Sequence, residues 1–495
     1  MCPLLTRAAH AAQENNALQR SNAMAESART VTPGDGRTAG PRRVKALHFA
    51  CVAALGGFLF GYDTAVINGA VNAIRDHFQI DAVATGVTVA IALLGSAVGA
   101  WFAGSIADRS GRLFAMRLAA ILFCISAIGS AVPFSAWDLG FWRLVGGVAI
   151  GMASVIAPAY IAEIAPASQR GKLGTLQQLA IVLGIAISQV VDWGIAEAAG
   201  GATQPLGFLS AWQWMLGVAA VPAILYGVLS FTIPESPRHL VATGRSDEAR
   251  EVLVALEPTD VDTRLSEIEE SLSSDRKPRL SDLKAKGTAL LPIVWIGIGL
   301  SMLQQLVGIN VIFYYSSALW QSVGINEDSS LLLSMSTQIF NIAGTIVALV
   351  LLDRLGRRPL LLTGSVGMAV TLGAAAFSFA QAQLVNGEPT MPDPYGVIAL
   401  VAAHAFVFFF AISWGPAVWV LLGEMFPNRI RASGLAVAAA AQWVTNWAVT
   451  VTFPSLSESS LSGAYIGYTA FAVLSIYFVW KWIPETKGRT LEQMG

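Results

Sequence analysis

The sequence predicts an all-α membrane protein with twelve transmembrane helices. They form two six-helix halves that repeat in parallel, with a small cytoplasmic helical linker between them. Three observations predict this. Of the 495 residues, 54% are hydrophobic and only 13% charged, with a mean hydropathy of +0.58, whereas soluble chains carry about 25% charged residues. Apolar runs near the ~20 residues needed to cross a bilayer recur twelve times. Three short polar signatures each occur twice, in the same order.

Residues 1–44 are polar, with Ser, Asn, Gly and Pro mixed in. They lack the apolar core of a secretory signal and read as a disordered cytoplasmic tail, with Met24 an alternative start. The first half, 45–233, holds spans at about 46–69, 83–106, 113–132, 139–160, 173–193 and 212–233. The polar stretch 234–288 contains charged helical segments such as SDEAREVLVAL and TRLSEIEESL. It is too short for a catalytic domain with its own core, so it reads as the linker. The second half, 289–484, holds spans at about 289–314, 329–352, 359–381, 396–422, 433–453 and 463–483, followed by a short cytoplasmic tail, 485–495. Small-residue patterns such as Gly57-x-x-x-Gly61, and the glycines Gly146, Gly147 and Gly151, suit close helix packing. Gly415 and Pro416 suit a bend.

Lys and Arg in short loops set orientation. Arg109 and Arg112 follow the second span, Arg170 and Lys172 the fourth, Arg354, Arg357 and Arg358 the eighth, and Arg429 and Arg431 the tenth. Loops on the other side hold almost none, with Arg75 the exception. Both termini are therefore expected in the cytoplasm. The net charge of −1 offers no broad basic surface for nucleic acid. Cys2, Cys51 and Cys124 form no CxxC or His/Cys cluster, so neither a metal site nor a disulfide framework is expected. No nucleophile–base set or nucleotide loop is present either, which argues against an enzyme and against a cofactor.

The repeats are displaced by about 245 to 261 residues. GSIADRSGR, with Asp108, Arg109 and Gly111, returns as VLLDRLGRR, with Asp353, Arg354 and Gly356. AEIAPASQR, with Glu163 and Arg170, returns as GEMFPNRIR, with Glu424 and Arg431, and PESPR at Pro234 returns as PETKG at Pro484. An even number of spans per half makes the repeat parallel. A substrate site then belongs between the halves near the midplane, reached from either side by rocking.

These residues resemble the major facilitator superfamily. The paired D-R-x-G-R loops carry that likeness, and PESPR, PETKG, the Gln-Gln stretch and GYDTAV are similar to its sugar porter branch, in particular to bacterial proton-coupled pentose and hexose symporters. The resemblance covers about residues 45 to 495 and implies the major facilitator fold.

A sugar needs amides that donate and accept, plus aromatic faces for its ring. Gln178, Gln304, Gln305, Asn310, Asn341, Gln442 and Asn446 lie in spans, with Tyr314, Tyr315, Trp419 and Trp443 as aromatic surface. Gln304 and Gln305 stand 100° apart on a helix and so face different ways. Amides also tie helices together, but several gathered in a repeat transporter favour a lining. The resemblance implies that Gln178, Gln304, Gln305, Asn310, Trp419 and Gln442 bind sugar. Ile185 departs from it, standing where pentose symporters place another sugar-binding glutamine. The resemblance gives His404 no role, and it reads as a hydrogen-bonded packing residue.

The charge clusters Asp108, Arg109, Glu163 and Arg170, with Asp353, Arg354, Glu424 and Arg431, are expected to pair across the halves as a cytoplasmic gate. Positive-inside flanking explains the arginines but not Glu163 and Glu424 at matching helix ends. Asp63 and Arg143 read as the clear acid and base within the spans of the first half. Sixteen residues separate Leu47 from Asp63, about 24 Å at ~1.5 Å per residue. That is some ~6 Å below the outer edge of a core ~30 Å thick. Arg143 is four residues in from Leu139, about 6 Å deep. If Arg143 approaches and withdraws during rocking, Asp63 loses and gains a proton; the competing reading is a static ion pair. The expected function is symport of a neutral monosaccharide with protons by a monomer in a bacterial plasma membrane. The alternatives are an uncoupled facilitator or a non-transporting sugar receptor.

Overall fold

The computed structural model describes residues 40–165, 170–256, 260–274, 283, 290–385, 388–427 and 430–485. The tail expected over 1–44, apart from the backbone that begins the first helix, and residues 486–495 lie outside these. Residues 46–495 form one compact unit.

The first span comprises α1 (Gly40–Ala65) and α2 (Ile67–Phe78), continuous through Val66, which keeps helical dihedrals and an N–H bond of 2.9 Å to the Tyr62 carbonyl. Then come α3 (Ala82–Ser110), α4 (Arg112–Ala131), α5 (Ala136–Ile164) and α6 (Arg170–Ala199). A short antiparallel pair, β1 (Pro205–Leu206) and β2 (Leu209–Ser210), leads to the sixth span, α7 (Ala211–Val218) and α8 (Ala220–Leu229). The linker contains α9 (Pro237–Ala242), α10 (Ser246–Leu256) and α11 (Val261–Ser274). The seventh span is broken at Val307 and Gly308 into α12 (Pro292–Leu306) and α13 (Ile309–Gln321), with Gly308 at φ +80°. After α14 (Glu327–Leu355) and α15 (Arg357–Phe379), a hairpin, β3 (Gln383–Val385) and β4 (Glu388–Thr390), leads to the tenth span. That span is broken at Ser413 into α16 (Tyr395–Ile412) and α17 (Trp414–Met425), beside Gly415 and Pro416. Last comes α18 (Arg431–Trp482), 52 residues long. At ~1.5 Å per residue it would measure about 78 Å, far more than one crossing, and its helical dihedrals fail at Ser460. It therefore supplies the eleventh and twelfth crossings.

Glycines bring backbones together. A methyl added at Gly147 of α5 would stand 1.9 Å from the Ala92 carbonyl oxygen of α3, and one at Gly151 would stand 2.0 Å from that of Ser96. Gly61 of α1 is as tight against the Ile181 carbonyl oxygen of α6, at 2.0 Å. The bundle can cross this closely because these positions carry no side chain.

One end of the bundle carries the two D-R-x-G-R loops; we call it the basic-loop end, and the opposite one the far end. At the basic-loop end the three repeated signatures assemble into one device per half. Gly111 and Gly356 turn the chain at φ +98° and +93°, a region that favours glycine. The next helix is then capped by an acid from the third signature: the N–H groups of Arg112 and Leu113 donate to Glu235 at 3.0 and 3.1 Å, and those of Arg357 and Arg358 to Glu485 at 3.1 and 3.0 Å. Such caps satisfy orphan helix donors. Arg112 also grips Glu163 with two bonds of 3.0 Å, and Arg357 grips Glu424 at 2.6 Å.

The far end joins the halves. The Asn68 amide donates to Ser316 at 3.1 Å and accepts from the Ser317 N–H at 3.0 Å, all three residues being buried. Asn72 donates to Gln321 at 2.9 Å, and Arg75 pairs with Glu458 at 2.6 Å. Trp193 donates to Asp328 at 3.1 Å, and the Ala202 N–H to Glu327 at 2.8 Å. Arg75, the cation that broke the loop pattern, is thus used across the seam.

Candidate functional site: broken helices and a buried ion pair

The breaks in α12–α13 and α16–α17 leave backbone groups without helical partners in the interior. Gln304 bridges from α12 to the start of α17: its Nε2 donates to the Trp414 carbonyl at 2.8 Å and reaches that of Gly415 at 3.5 Å. Gln305 Nε2 donates to Gln304 Oε1 at 3.3 Å, and Asn310 Nδ2 donates to Gln305 Oε1 at 2.5 Å. Gln304 and Gln305, set on different faces by helix geometry, are therefore joined through their side chains. The chain of amides crosses the break from α12 to α13.

Tyr314, buried on α13, meets Asn446 of α18 and lies within electrostatic reach of Arg143 and Asp63 in the other half. Phe60 of α1 and Trp443 of α18 stack across the halves with ring centres 5.8 Å apart. Gln178 and Gln442 are half-buried, and the Gln442 carbonyl oxygen has no partner. Trp419 is 41% exposed, while the fully buried indole of the break is Trp414, which donates to Ser365 at 3.0 Å. Asn341 is buried and donates to Gln338 of its own helix at 3.2 Å. His404 bonds Ser336 at 2.7 Å and the Leu400 carbonyl at 2.8 Å and meets Phe340 edge-on.

The acid and base of the first half do meet. Arg143 Nη1 lies 3.2 Å from Asp63 Oδ2 and 3.1 Å from the Asp63 carbonyl oxygen, with both residues buried. Gly146, one turn from Arg143, lies beside the pair and leaves room for the Ser126 hydroxyl, which an added methyl would approach to 2.4 Å. The matching depths read from the spans account for the pairing.

Sequence reading passed over several polar groups. The fifth span was drawn to 193, which put Asp192 at its edge; α6 continues to Ala199, and Asp192 is buried inside it. Tyr62, Gln177, Gln189 and Gln338 are buried as well. Periodicity of polar residues along α6, where Gln189 precedes Asp192 by three, is the signal that pointed to them.

At the basic-loop end, Glu163 is held by Arg112 of its own half and by the Ser236 hydroxyl at the start of the linker. Asp108 lies 3.3 Å from Arg112 and is largely exposed, as is Arg109. The expected cross-half pairing of Glu163 is thus replaced here by a pairing within the half. The physical reason is that the halves meet at the far end in this conformation. Arg354 is exposed; the side chains of Arg170, Asp353 and Arg431 lie outside the described residues. Among the described residues no His, Cys, Asp and Glu group has metal-ligand character.

The family model "Sugar (and other) transporter" matches residues 49–495. The chain belongs to the sugar transporter family. The transporter is 56% identical over 446 residues to the glucose transport protein of Synechocystis sp., covering 90% of this chain and 95% of that one. It is 36% identical over 488 residues to the D-xylose-proton symporter of Escherichia coli K12, covering 90% and 94%. Among solved structures, it matches the partially occluded inward-open xylose transporter XylE from E. coli with a TM-score of 0.78 at 34% identity, covering 90% of this chain and all 100% of that one. The transporter is a multi-pass membrane protein of the major facilitator sugar porter type, and its family members are transporters rather than enzymes.

Proposed function

We propose that the protein is a symporter of protons and a neutral monosaccharide of the glucose, xylose or galactose type, working by alternating access as a monomer in a bacterial plasma membrane. The observation that carries this reading is the amide chain Gln304–Gln305–Asn310 across two broken helices, with Tyr314 one turn beyond Asn310 and within electrostatic reach of the buried Asp63–Arg143 pair. Hydroxyls are matched by amides that both donate and accept, and Gln178, Gln442 and Trp419 extend that lining. Asp63 carries the coupling proton when Arg143 withdraws. The basic loops place their end of the bundle in the cytoplasm with both termini, so the far end is the outer side, closed here, and the site faces inward. In the opposite state the arginines and acids at the basic-loop end, Asp108, Arg109, Glu163, Arg170, Asp353, Arg354, Glu424 and Arg431, form the inner gate.

The test is uptake of labelled sugars into proteoliposomes across a panel, with and without an imposed inward proton gradient. Accumulation of one or more of these sugars above the external concentration only with the gradient is expected. Equal uptake without it would mean a facilitator, and binding without uptake a receptor.

A further inference from the structure

Asp192 of α6 is 1% exposed, and nothing above gives it a task. Among the described residues no side chain donates to either carboxylate oxygen, and the Gln189 amide, three positions back on the same face, is equally without partners. The carboxylate sits against Gly69 of α2, where an added methyl would stand 2.9 Å from it, and the Gly69 backbone N–H is the donor that approaches. Lower down, α6 is packed backbone to backbone against α1, the helix that leads into α2, at Gly61 against Ile181 and Gly184 against Phe58, which limits any shift of α6 that would relieve this.

The charged and titratable groups on the elements around Asp192 are engaged elsewhere or lie apart. Arg143 on α5 is committed to Asp63. Tyr62 on α1, its hydroxyl unpartnered, is within electrostatic reach of both Asp63 and Asp192. Glu327 and Asp328 on α14 bind the Ala202 N–H and Trp193. On α2, Arg75 pairs with Glu458, and Asp76 and His77 lie two turns beyond Gly69. α7 brings no titratable side chain.

A carboxylate inside the membrane without a counter-charge is stable only in its neutral form. We propose that Asp192 is a second proton-binding site, holding a proton while the outer side is closed and releasing it when that side opens. The release follows from the seam: the neighbouring Trp193 bridges to Asp328 of the other half, so parting α6 from α14 admits water to this turn. Gly69 lies six residues beyond Asp63, about 9 Å nearer the outside at ~1.5 Å per residue, so Asp192 is the first buried acid that an outer proton meets. Because the charged form is tolerated only in the open state, raising the pH favours opening.

The inference rests on the alternating-access reading, and the experiment separates the two. Spin labels at Phe208→Cys and Ser459→Cys, with Cys2, Cys51 and Cys124 replaced by Ser, report the outer seam as a distance distribution. In Asp63→Asn, which removes the other titrating acid, the open population should rise with pH by up to tenfold per unit. In Asp63→Asn/Asp192→Asn it should stay closed at every pH, while Asp63→Asn/Asp192→Glu should restore the titration and guard against a folding defect. A pH-independent Asp63→Asn, or an unchanged titration in the Asp192→Asn double variant, overturns the proposal. Labels that move in the wild type with neither glucose, xylose nor pH would overturn alternating access itself.

Discussion

Asp63 meets Arg143 through a single guanidinium nitrogen, while Arg143 Nε is buried with no partner among the described residues. A buried pair stabilises only with excellent geometry and several further hydrogen bonds; this one is single-pronged, and its one further bond runs from the same nitrogen to the Asp63 carbonyl oxygen. That favours a pair made to separate over a permanent strut. Asp63→Asn keeps the shape but not the titrating proton. Sugar binding and exchange of labelled for unlabelled sugar should persist, and uphill accumulation should vanish. A strut predicts instead a loss of about 3 to 5 kcal/mol, with melting temperature and all transport modes falling together; measuring the three in one preparation decides. Gln305→Ala cuts the amide chain at its middle link. It should abolish sugar binding in calorimetry while leaving the melting temperature within a few degrees, and unchanged affinity would refute the lining. At this scale the Asp63–Arg143 pair was legible, because depth along a straight helix follows from counting residues. Asp192 was not, since its burial depends on how far α6 runs past the apolar stretch, and the Gln304–Gln305 bond was not, since it needs a helix break.

The breaks belong to the elements. Counting apolar residues finds a crossing but not its interruption, so the spans were legible as continuous helices while the gaps at Gly308 and Ser413 were not, apart from the bend marked by Gly415 and Pro416. Close packing was readable from the small residues. Gly147→Val should clash with the Ala92 carbonyl, whereas Gly104→Val on the facing helix has open space around its Cβ. Overpacking costs about 1–3 kcal/mol. Thermal unfolding in detergent should therefore show a clear drop for Gly147→Val and none for Gly104→Val; equal behaviour would mean that α3 and α5 do not cross as described. The final crossing pair was drawn as two spans in the sequence, and the structure divides α18 at Ser460 in agreement.

Across the whole molecule, the two halves are held at one end by a seam whose centre is buried and whose rim is wet. Arg75 and Glu458 are about half exposed, and such pairs contribute little, ~0 to 1 kcal/mol. Asn68 is buried, and its two cross-half bonds carry more. Asn68→Ala removes both bonds, each worth about 0.5–1.5 kcal/mol net, while Ser316 keeps its bond to Ser334 at 2.6 Å. The far end should open more often: a thiol reagent applied from that side should label a cysteine at Ser317 several-fold faster in Asn68→Ala than in the parent, and Arg75→Ala should change the rate little. Equal rates for Asn68→Ala and the parent would remove this contact from the closure. The repeat was legible as three doubled signatures, and the parallel arrangement followed from parity. Which end is shut was not legible, because both states share one sequence and differ by contacts of a few kcal/mol.

The hold that Gln304 takes on the carbonyl oxygens of Trp414 and Gly415 has an evolutionary consequence. Main-chain acceptors belong to every residue type, so no substitution at 414 or 415 can delete them. The orientation of Gln304 is thereby insulated from sequence drift on the opposite helix. The side chain at a position such as Ile185 carries no such protection. Divergence among descendants of this chain should therefore accumulate around a fixed amide, altering which hydroxyl pattern is accepted while the anchor stays in place.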